Sequence, residues 1–215
     1  MEKTLPDIYN ELYETYGPQG WWPLLRKEGN RLKMWYHRGE YDFPRNENEV
    51  FEICVGAILT QNTNWNNVEK ALTALYRENL LNATAILRAE AQRIKTLIRP
   101  AGYFNQKTRY LKNFSEFFLS LHGCIPTRKE LLEVKGIGNE TADSMLLYAW
   151  HQPEFVVDAY TKRIFSAMGF FDVKAGYMQV KELFENSLPR DVVVYQEYHA
   201  LIVEHAKHLF RGKKN

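Results

Sequence analysis

Apolar residues recur at the spacing of an α-helix along most of this chain. The clearest run follows Asn46, where the apolar positions share one helical face: Val50, Ile53, Cys54, Ala57 and Ile58. Similar patterns predict helices over residues 64–78, 83–89, 90–98, 106–121, 127–134, 139–150, 159–168 and 192–210. Residues 17–44 are the least regular, and stretches with strand character, such as 155–157, are short. The pattern therefore predicts an all-α protein.

Length and composition narrow the class of protein. The 215 residues are enough for one large domain or two packed lobes, and 45% hydrophobic with 25% charged residues is typical of a globular protein. No apolar run approaches the ~20 residues that span a bilayer, and residues 1–10 do not resemble a signal peptide. We expect a cytoplasmic protein, associated with the nucleoid if prokaryotic, that does not contact membranes.

Charge and metal-binding residues give weaker signals. The net charge is only +2, and the basic tail (Lys207, Arg211, Lys213 and Lys214) suits either DNA or simple solubility. Two cysteines, Cys54 and Cys124, cannot supply a four-thiolate cluster. The histidines near the C-terminus lack a supporting ligand set, so packed or surface positions are expected for them: His199, His205 and His208.

The most specific local signal is the segment LLEVKGIGNETA, residues 131–142. Gly136 and Gly138 permit a tight turn between two helices, and Ile137 between them can plug the helix junction. The turn leaves backbone N–H groups and a helix N-terminus facing outward, which suits a phosphate, and Lys135 adds a positive charge. An ordinary helix–turn–helix corner is the alternative, and the flanking apolar spacing favours a DNA-binding hairpin.

A carboxylate follows the hairpin. After a proline-containing loop, the apolar residues 155–157 deliver Asp158 to the start of a helix, 22 residues after Gly136. An aspartate at this position can simply cap the helix. It is also placed to meet a sugar turned out of a DNA duplex.

These features resemble the helix-hairpin-helix/Gly-Pro-Asp superfamily of DNA glycosylases, in its endonuclease III branch. Upstream, residues 59–63 (LTQNT) are similar to the family segment whose glutamine, here Gln61, fills the gap left by a flipped base. Residues 102–107, which include Tyr103, resemble the second wedge loop, and residues 199–205 resemble the segment before the family's iron–sulfur cluster. The resemblance covers roughly residues 50–210, and it implies that Asp158 is catalytic.

Two departures from the family pattern indicate the subtype. Bifunctional members carry a lysine where this chain has Glu140, and a carboxylate cannot form the imine needed for strand cleavage. Glu140 can stabilise the first helical turn or hydrogen-bond the flipped base. Phe210 lies about where the first cluster cysteine would fall, so we expect no iron–sulfur cluster and no other cofactor.

A member without the lysine and the cluster resembles the 3-methyladenine glycosylases of the endonuclease III class. That resemblance implies a base pocket formed by Trp21, Trp22, Pro23, Trp65, Glu140 and Lys207. An indole face attracts an electron-poor or cationic alkylated purine by about 1–2 kcal/mol. The tryptophans can instead anchor the N-terminal segment to the core, and Lys207 can be a solvated surface lysine.

The sequence thus predicts two helical lobes with an active cleft between them. A six-helix barrel over residues 46–159, with the hairpin at 131–150, would face a second lobe built from residues 1–45 and 160–215. We expect a monomer that binds double-stranded DNA containing damaged bases and excises alkylated purines without lyase activity. Two alternatives stay open: a monofunctional glycosylase for mismatched or oxidised bases, and a non-catalytic hairpin protein that binds DNA.

Overall fold

The computed structural model describes residues 3–210, so Arg211, Lys213 and Lys214 of the basic tail lie outside the described residues. Within that range eleven α-helices accompany one pair of strands and a 3-10 turn at Arg99–Ala101. In chain order the elements are α1 (Leu5–Tyr16), β1 (Leu24–Glu28), β2 (Arg31–Trp35), α2 (Glu47–Thr60), α3 (Trp65–Arg77), α4 (Ala83–Arg88), α5 (Ala91–Leu97), α6 (Phe104–Ser120), α7 (Arg128–Glu133), α8 (Asn139–Ala149), α9 (Ala159–Ala167), α10 (Tyr177–Ser187) and α11 (Val192–Leu209). The predicted helical fold is confirmed.

Short polar side chains fix where many helices begin. In each case the side-chain oxygen of the N-cap residue accepts a hydrogen bond from the backbone N–H three residues later, which satisfies a donor that the helix itself leaves free. The residues that cap α2, α3, α4, α7, α9 and α11 in this way are Asn46, Asn64, Asn82, Thr127, Asp158 and Asp191.

Two helices form the centre of the molecule. Residues 51–59 of α2 and residues 141–149 of α8 are buried without interruption, so both helices are enclosed on all sides. They pack against each other, and α3 and α6 pack on α2. Helices α1 and α9 pack on α11, which also contacts α8. The ends of α2 and α8 therefore sit on a rigid core. The lobe boundaries at residues 46 and 159 stay a prediction.

The sequence pattern missed four elements, two helices and two strands. Helix α1 buries Leu5, Ile8 and Leu12 behind a Thr4–Asp7 capping box, and α10 buries a similar short stripe. The strands β1 and β2 pair antiparallel around a turn with Gly29 at φ 58°, which is the one departure from an all-α fold in the described range. No helix there is long and apolar enough to cross a membrane.

Glu52 is an ionisable group inside the central helix. Its side chain is nearly inaccessible, and a carboxyl oxygen accepts the backbone N–H of Leu25 in β1. Burial raises the pKa of Glu52 to about 7, although the Leu25 hydrogen bond and Arg26 act in the opposite direction. The folded protein therefore binds a proton at Glu52 that the unfolded chain releases near pH 4.5.

Replacing Glu52 with Gln should make the free energy of unfolding less dependent on pH. Because the folded pKa is raised, the contribution of Glu52 to stability is complete below pH 4.5 and is lost as pH rises through about 7. We expect the Glu52→Gln variant to match the parent near pH 4.5 and to exceed it by about 2–3 kcal/mol at pH 8 in urea denaturation. Glu116→Gln, on the exposed face of α6, is the control. This account would be contradicted if the free energies of unfolding of the parent and Glu52→Gln differed by the same amount at every pH from 4.5 to 8.

Candidate active site

The hairpin joins α7 to α8 through a turn that requires glycine. Gly136 adopts φ 107°, and a side chain at this residue would collide with the ring of Tyr110. Ile137 is buried between the helices, as the sequence predicts for a plug. Gly138 is the N-cap residue of α8 and has no side chain to accept a capping hydrogen bond. Both Gly138 and Lys135 are exposed. The turn therefore presents free N–H groups beside a positive charge, an arrangement that binds anions.

Two loops flank the hairpin. Gln61, directly after α2, donates from Nε2 to the carbonyl oxygen of Gly136 at 3.0 Å and to Oγ1 of Thr141 at 3.1 Å. Tyr103, at the start of α6, has a left-handed backbone and is 65% exposed. Gln61 and Tyr103 line the same small cavity of about 100 Å³. The structure thus brings both predicted wedge residues together and ties one of them to the hairpin.

Lys107 holds these two loops from behind, a role that the sequence did not suggest. Its side chain is 2% exposed, and Nζ donates to the carbonyl oxygens of Leu59 and Ala101, each at 2.8 Å. These carbonyls each lie two residues before a wedge residue. Burial lowers the pKa of Lys107 to about 8. One buried amine therefore fixes the spacing between the two loops.

A cavity of about 450 Å³ opens beside the hairpin turn. Its lining includes several of the predicted site residues: Trp22, Gln61, Gly136, Gly138 and Glu140. Trp22 packs closely on α2, where a side chain at Gly56 would meet the indole nitrogen. Glu140 is an exposed residue, but nearby protein atoms partly remove water from its carboxyl. This desolvation and the nearby charge of Asp158 raise the pKa of Glu140. The volume lies in the range of small-molecule sites.

The predicted tryptophans form one aromatic cluster. Trp22 meets Trp65 edge-on, with ring centres 5.6 Å apart, and meets Tyr148 of α8 at 5.3 Å. Trp21 packs against Trp22 at 6.0 Å, and the buried Pro23 follows directly. Only Trp22 of this group lines the cavity itself. The cluster thus forms the wall and the layer behind it.

Asp158 lies at the N-cap of α9 with its side chain 13% exposed, and its charge acts on Glu140 in the cavity lining. Its Oδ1 accepts from the backbone N–H of Thr161 at 2.7 Å and from Oγ1 of Thr161 at 2.8 Å. Its Oδ2 lies 3.8 Å from Nε2 of His199 in α11. Burial acts against the charged form, but His199 and the Thr161 donors hold the pKa of Asp158 below its usual range. Asp158 is therefore an ionised carboxylate with one oxygen left for chemistry.

A buried carboxylate joins the hairpin to the Asp158 segment. Asp143 of α8 is inaccessible to solvent and binds Nε of Arg128 at 2.7 Å. It also accepts from the hydroxyl of Tyr177, at 2.7 Å, and that hydroxyl accepts the N–H of Val157 at 3.4 Å. Burial and the neighbouring Asp143 raise the pKa of Tyr177, which keeps the hydroxyl protonated. The residue before Asp158 is thus connected to the hairpin helix by two hydrogen bonds.

Lys207 is not brought to the cavity. Its side chain is 55% exposed and pairs with Glu204 one turn earlier, at 2.7 Å. In the described range no three or more His, Cys, Asp or Glu side chains converge in a way that could hold a metal ion. Cys54 is buried within α2, and Cys124 is exposed.

Known proteins share both the sequence and the fold. Residues 55–190 match the HhH-GPD superfamily of base excision DNA repair proteins. A Methanocaldococcus jannaschii protein, whose name provisionally assigns it to the DNA repair glycosylases, is 43% identical over 96% of this chain and 88% of its own length. Endonuclease III of Sulfolobus acidocaldarius is 29% identical over 77% of this chain and 76% of its own length.

Two solved structures resemble this one along most of their length. The H. pylori 3-methyladenine DNA glycosylase, crystallised with 1,N6-ethenoadenine, superposes with a TM-score of 0.73 and 26% identity over 94% of this chain and 97% of its own. An endonuclease III–DNA complex superposes with a TM-score of 0.74 over 93% of this chain and 82% of its own, at 16% identity, which supports the fold. This chain belongs to the HhH-GPD superfamily of base excision DNA repair proteins, in its endonuclease III branch.

Proposed function

We propose that this base excision repair glycosylase removes alkylated purines, such as 3-methyladenine, by hydrolysis of the N-glycosidic bond. The observation that carries the proposal is a cavity that has a tryptophan wall and Glu140, with no lysine among the described residues that line it, and an ionised Asp158 whose charge acts on Glu140. An indole attracts an electron-poor or cationic ring, and such a base leaves without strong acid assistance. The H. pylori relative, whose description names 3-methyladenine, supports the same substrate class.

Each part of the site would have a role in binding. The N–H groups of the hairpin and Lys135 would hold backbone phosphates, which position the duplex without reading its sequence. Gln61 and Tyr103 would fill the space left by the flipped base. Flipping costs least at damaged or weakly paired bases, which contributes to selectivity. The relatives solved with DNA support duplex DNA as the partner.

The chemistry would be a hydrolysis in which Asp158 acts alone. The bond between C1′ and the base nitrogen breaks, its electron pair leaves with the cationic base, and the base becomes neutral. The Oδ2 charge of Asp158 would stabilise the positive charge that develops on the sugar. A water then adds to C1′ and loses a proton, leaving an abasic sugar. An iron–sulfur cluster takes no part in this proposal, because such a cluster needs four cysteines and this sequence has two.

Replacing Asp158 with Asn should abolish base release while preserving DNA binding. Asn retains the capping hydrogen bond to Thr161 but lacks the charge, so we expect the single-turnover rate of 3-methyladenine release from alkylated duplex DNA to fall by about 100-fold or more. Binding to DNA with an abasic analogue should change less than threefold, as measured by fluorescence anisotropy. Asp172→Asn, at an exposed aspartate that also accepts a backbone N–H, is the control.

Three outcomes would contradict the proposal in different ways. Undiminished release by Asp158→Asn would remove Asp158 from the mechanism. A parent protein that ignores 3-methyladenine and 7-methylguanine but releases mismatched or oxidised bases would establish the other lesion class. DNA binding without release of any base would indicate a non-catalytic module.

Borohydride trapping should test the role of position 140. The parent has a carboxylate there, so we expect no covalent adduct with abasic DNA in the presence of borohydride. The Glu140→Lys variant places an amine at the same point of α8 and should form a trapped adduct visible on a denaturing gel. Trapping by the parent would show that another amine reaches the sugar and that the protein is bifunctional.

A further inference from the structure

His199 is buried next to the proposed catalytic carboxylate, although its sequence context suggests only packing. The side chain is 4% exposed, on the inner face of α11. Its Nε2 lies 3.8 Å from Oδ2 of Asp158, and its Nδ1 lies 2.7 Å from the hydroxyl of Tyr148. Trp21 covers the ring edge-on at 5.7 Å. Both ring nitrogens therefore face defined partners.

The hydrogen bonds around Tyr148 determine the protons on the ring. The hydroxyl of Tyr148 donates to the carbonyl oxygen of Gln196 at 3.1 Å, so its oxygen is free to accept from Nδ1–H of His199. Gln196 is itself held by the carbonyl oxygen of Leu147 at 2.9 Å. A second proton on Nε2 would then face the Asp158 carboxylate. A doubly protonated ring satisfies every partner in this arrangement.

The charged groups around the Asp158 carboxylate indicate how His199 acts on it. Thr161 occupies Oδ1 of Asp158, so Oδ2 is the oxygen that His199 faces. Glu140 on α8 is a negative neighbour that opposes the charge on Asp158. Glu197 on α11 acts on Tyr148, and its carboxylate accepts the N–H of Gln19. The imidazole of His199 is thus the cationic partner that can offset the charge of Glu140 at Asp158.

We propose that His199 is a positioning residue for Asp158, an imidazolium that Tyr148 holds at Nδ1 and that directs Nε2–H to the free oxygen of the carboxylate. The proposal rests on the proposed function, because Asp158 matters only if it serves the reaction. The pair keeps Asp158 ionised beside Glu140, and it fixes the orientation of Oδ2 toward the sugar. His199 itself does not touch the substrate.

Linkage supplies a test that does not depend on activity. If His199 and Asp158 stabilise each other's charge, removing either charge must change the proton affinity of the other by the same factor. We expect Asp158→Asn to change the Nδ1 and Nε2 chemical shifts of His199, measured by NMR of the free protein at one fixed pH. The internal control is His205, which lies on the same helix with its own tyrosine partner, Tyr16, at 3.0 Å and should be unaffected.

The reciprocal variants complete the experiment. His199→Asn should raise the proton affinity of Asp158 at least tenfold in a carboxyl-carbon titration, while His199→Gln, which keeps a neutral donor near Nε2, should raise it less. Tyr148→Phe removes only the hydroxyl that faces Nδ1 of His199, so it serves if the larger substitutions do not fold, and it should also raise the proton affinity of Asp158. A proton affinity of Asp158 that moves less than twofold in these variants would overturn the proposal, whichever lesion the enzyme removes.

An activity measurement then connects the pair to the reaction. His199→Asn should reduce the single-turnover excision rate at least tenfold and shift its acid limb to higher pH, with unchanged affinity for an abasic analogue. A purely structural role predicts a lower melting temperature and an acid limb that coincides with the parent's. That second result would contradict the proposal.

Discussion

The arrangement of the site depends on one buried carboxylate, that of Asp143. It lies in α8, the second hairpin helix, and is buried. A buried charge without partners would be strongly destabilising, so the fold requires the groups that bind this carboxylate. Arg128 binds it from the first hairpin helix, and Tyr177 binds it from α10. The hydroxyl of Tyr177 also accepts the N–H of Val157, the residue before Asp158. The surface proposed to bind phosphates and the carboxylate proposed to act on the sugar are therefore parts of one hydrogen-bonded unit.

This coupling gives a physical reason why the hairpin turn and the proposed catalytic residue lie together. Phosphate contacts at the hairpin would fix the duplex relative to α8, and α8 holds the start of α9 through Asp143. Lys107 performs a similar task for the loops of Gln61 and Tyr103, since one ammonium binds both loop entrances. Positional errors near 1 Å can cost a factor of ~100 in rate, so such rigid connections matter for catalysis.

Local signals predicted much of this molecule. The glycine pair, the apolar spacing around it and Asp158 were visible in the sequence because each depends on near neighbours. Helix α10 was missed because its apolar stripe is short, and the β1–β2 hairpin was missed because only Leu24 and Leu25 of its residues are buried. The contribution of His199 depends on contacts with Tyr148 and Asp158, 51 and 41 residues away, and nothing local reveals such contacts. Lys107 was missed for the same reason, because its carbonyl partner Leu59 lies 48 residues earlier in the chain.

The most direct measurement is the kinetics of a Tyr177→Phe variant, which removes the hydroxyl between Asp143 and Val157 and leaves the ring in place. Single-turnover excision and DNA affinity would be measured together, with Tyr76→Phe on the exposed side of α3 as the control. If the hairpin positions Asp158 through Asp143, the excision rate should fall by about tenfold or more while affinity changes less than twofold. A Tyr177→Phe protein that excises at the parent's rate would contradict the account.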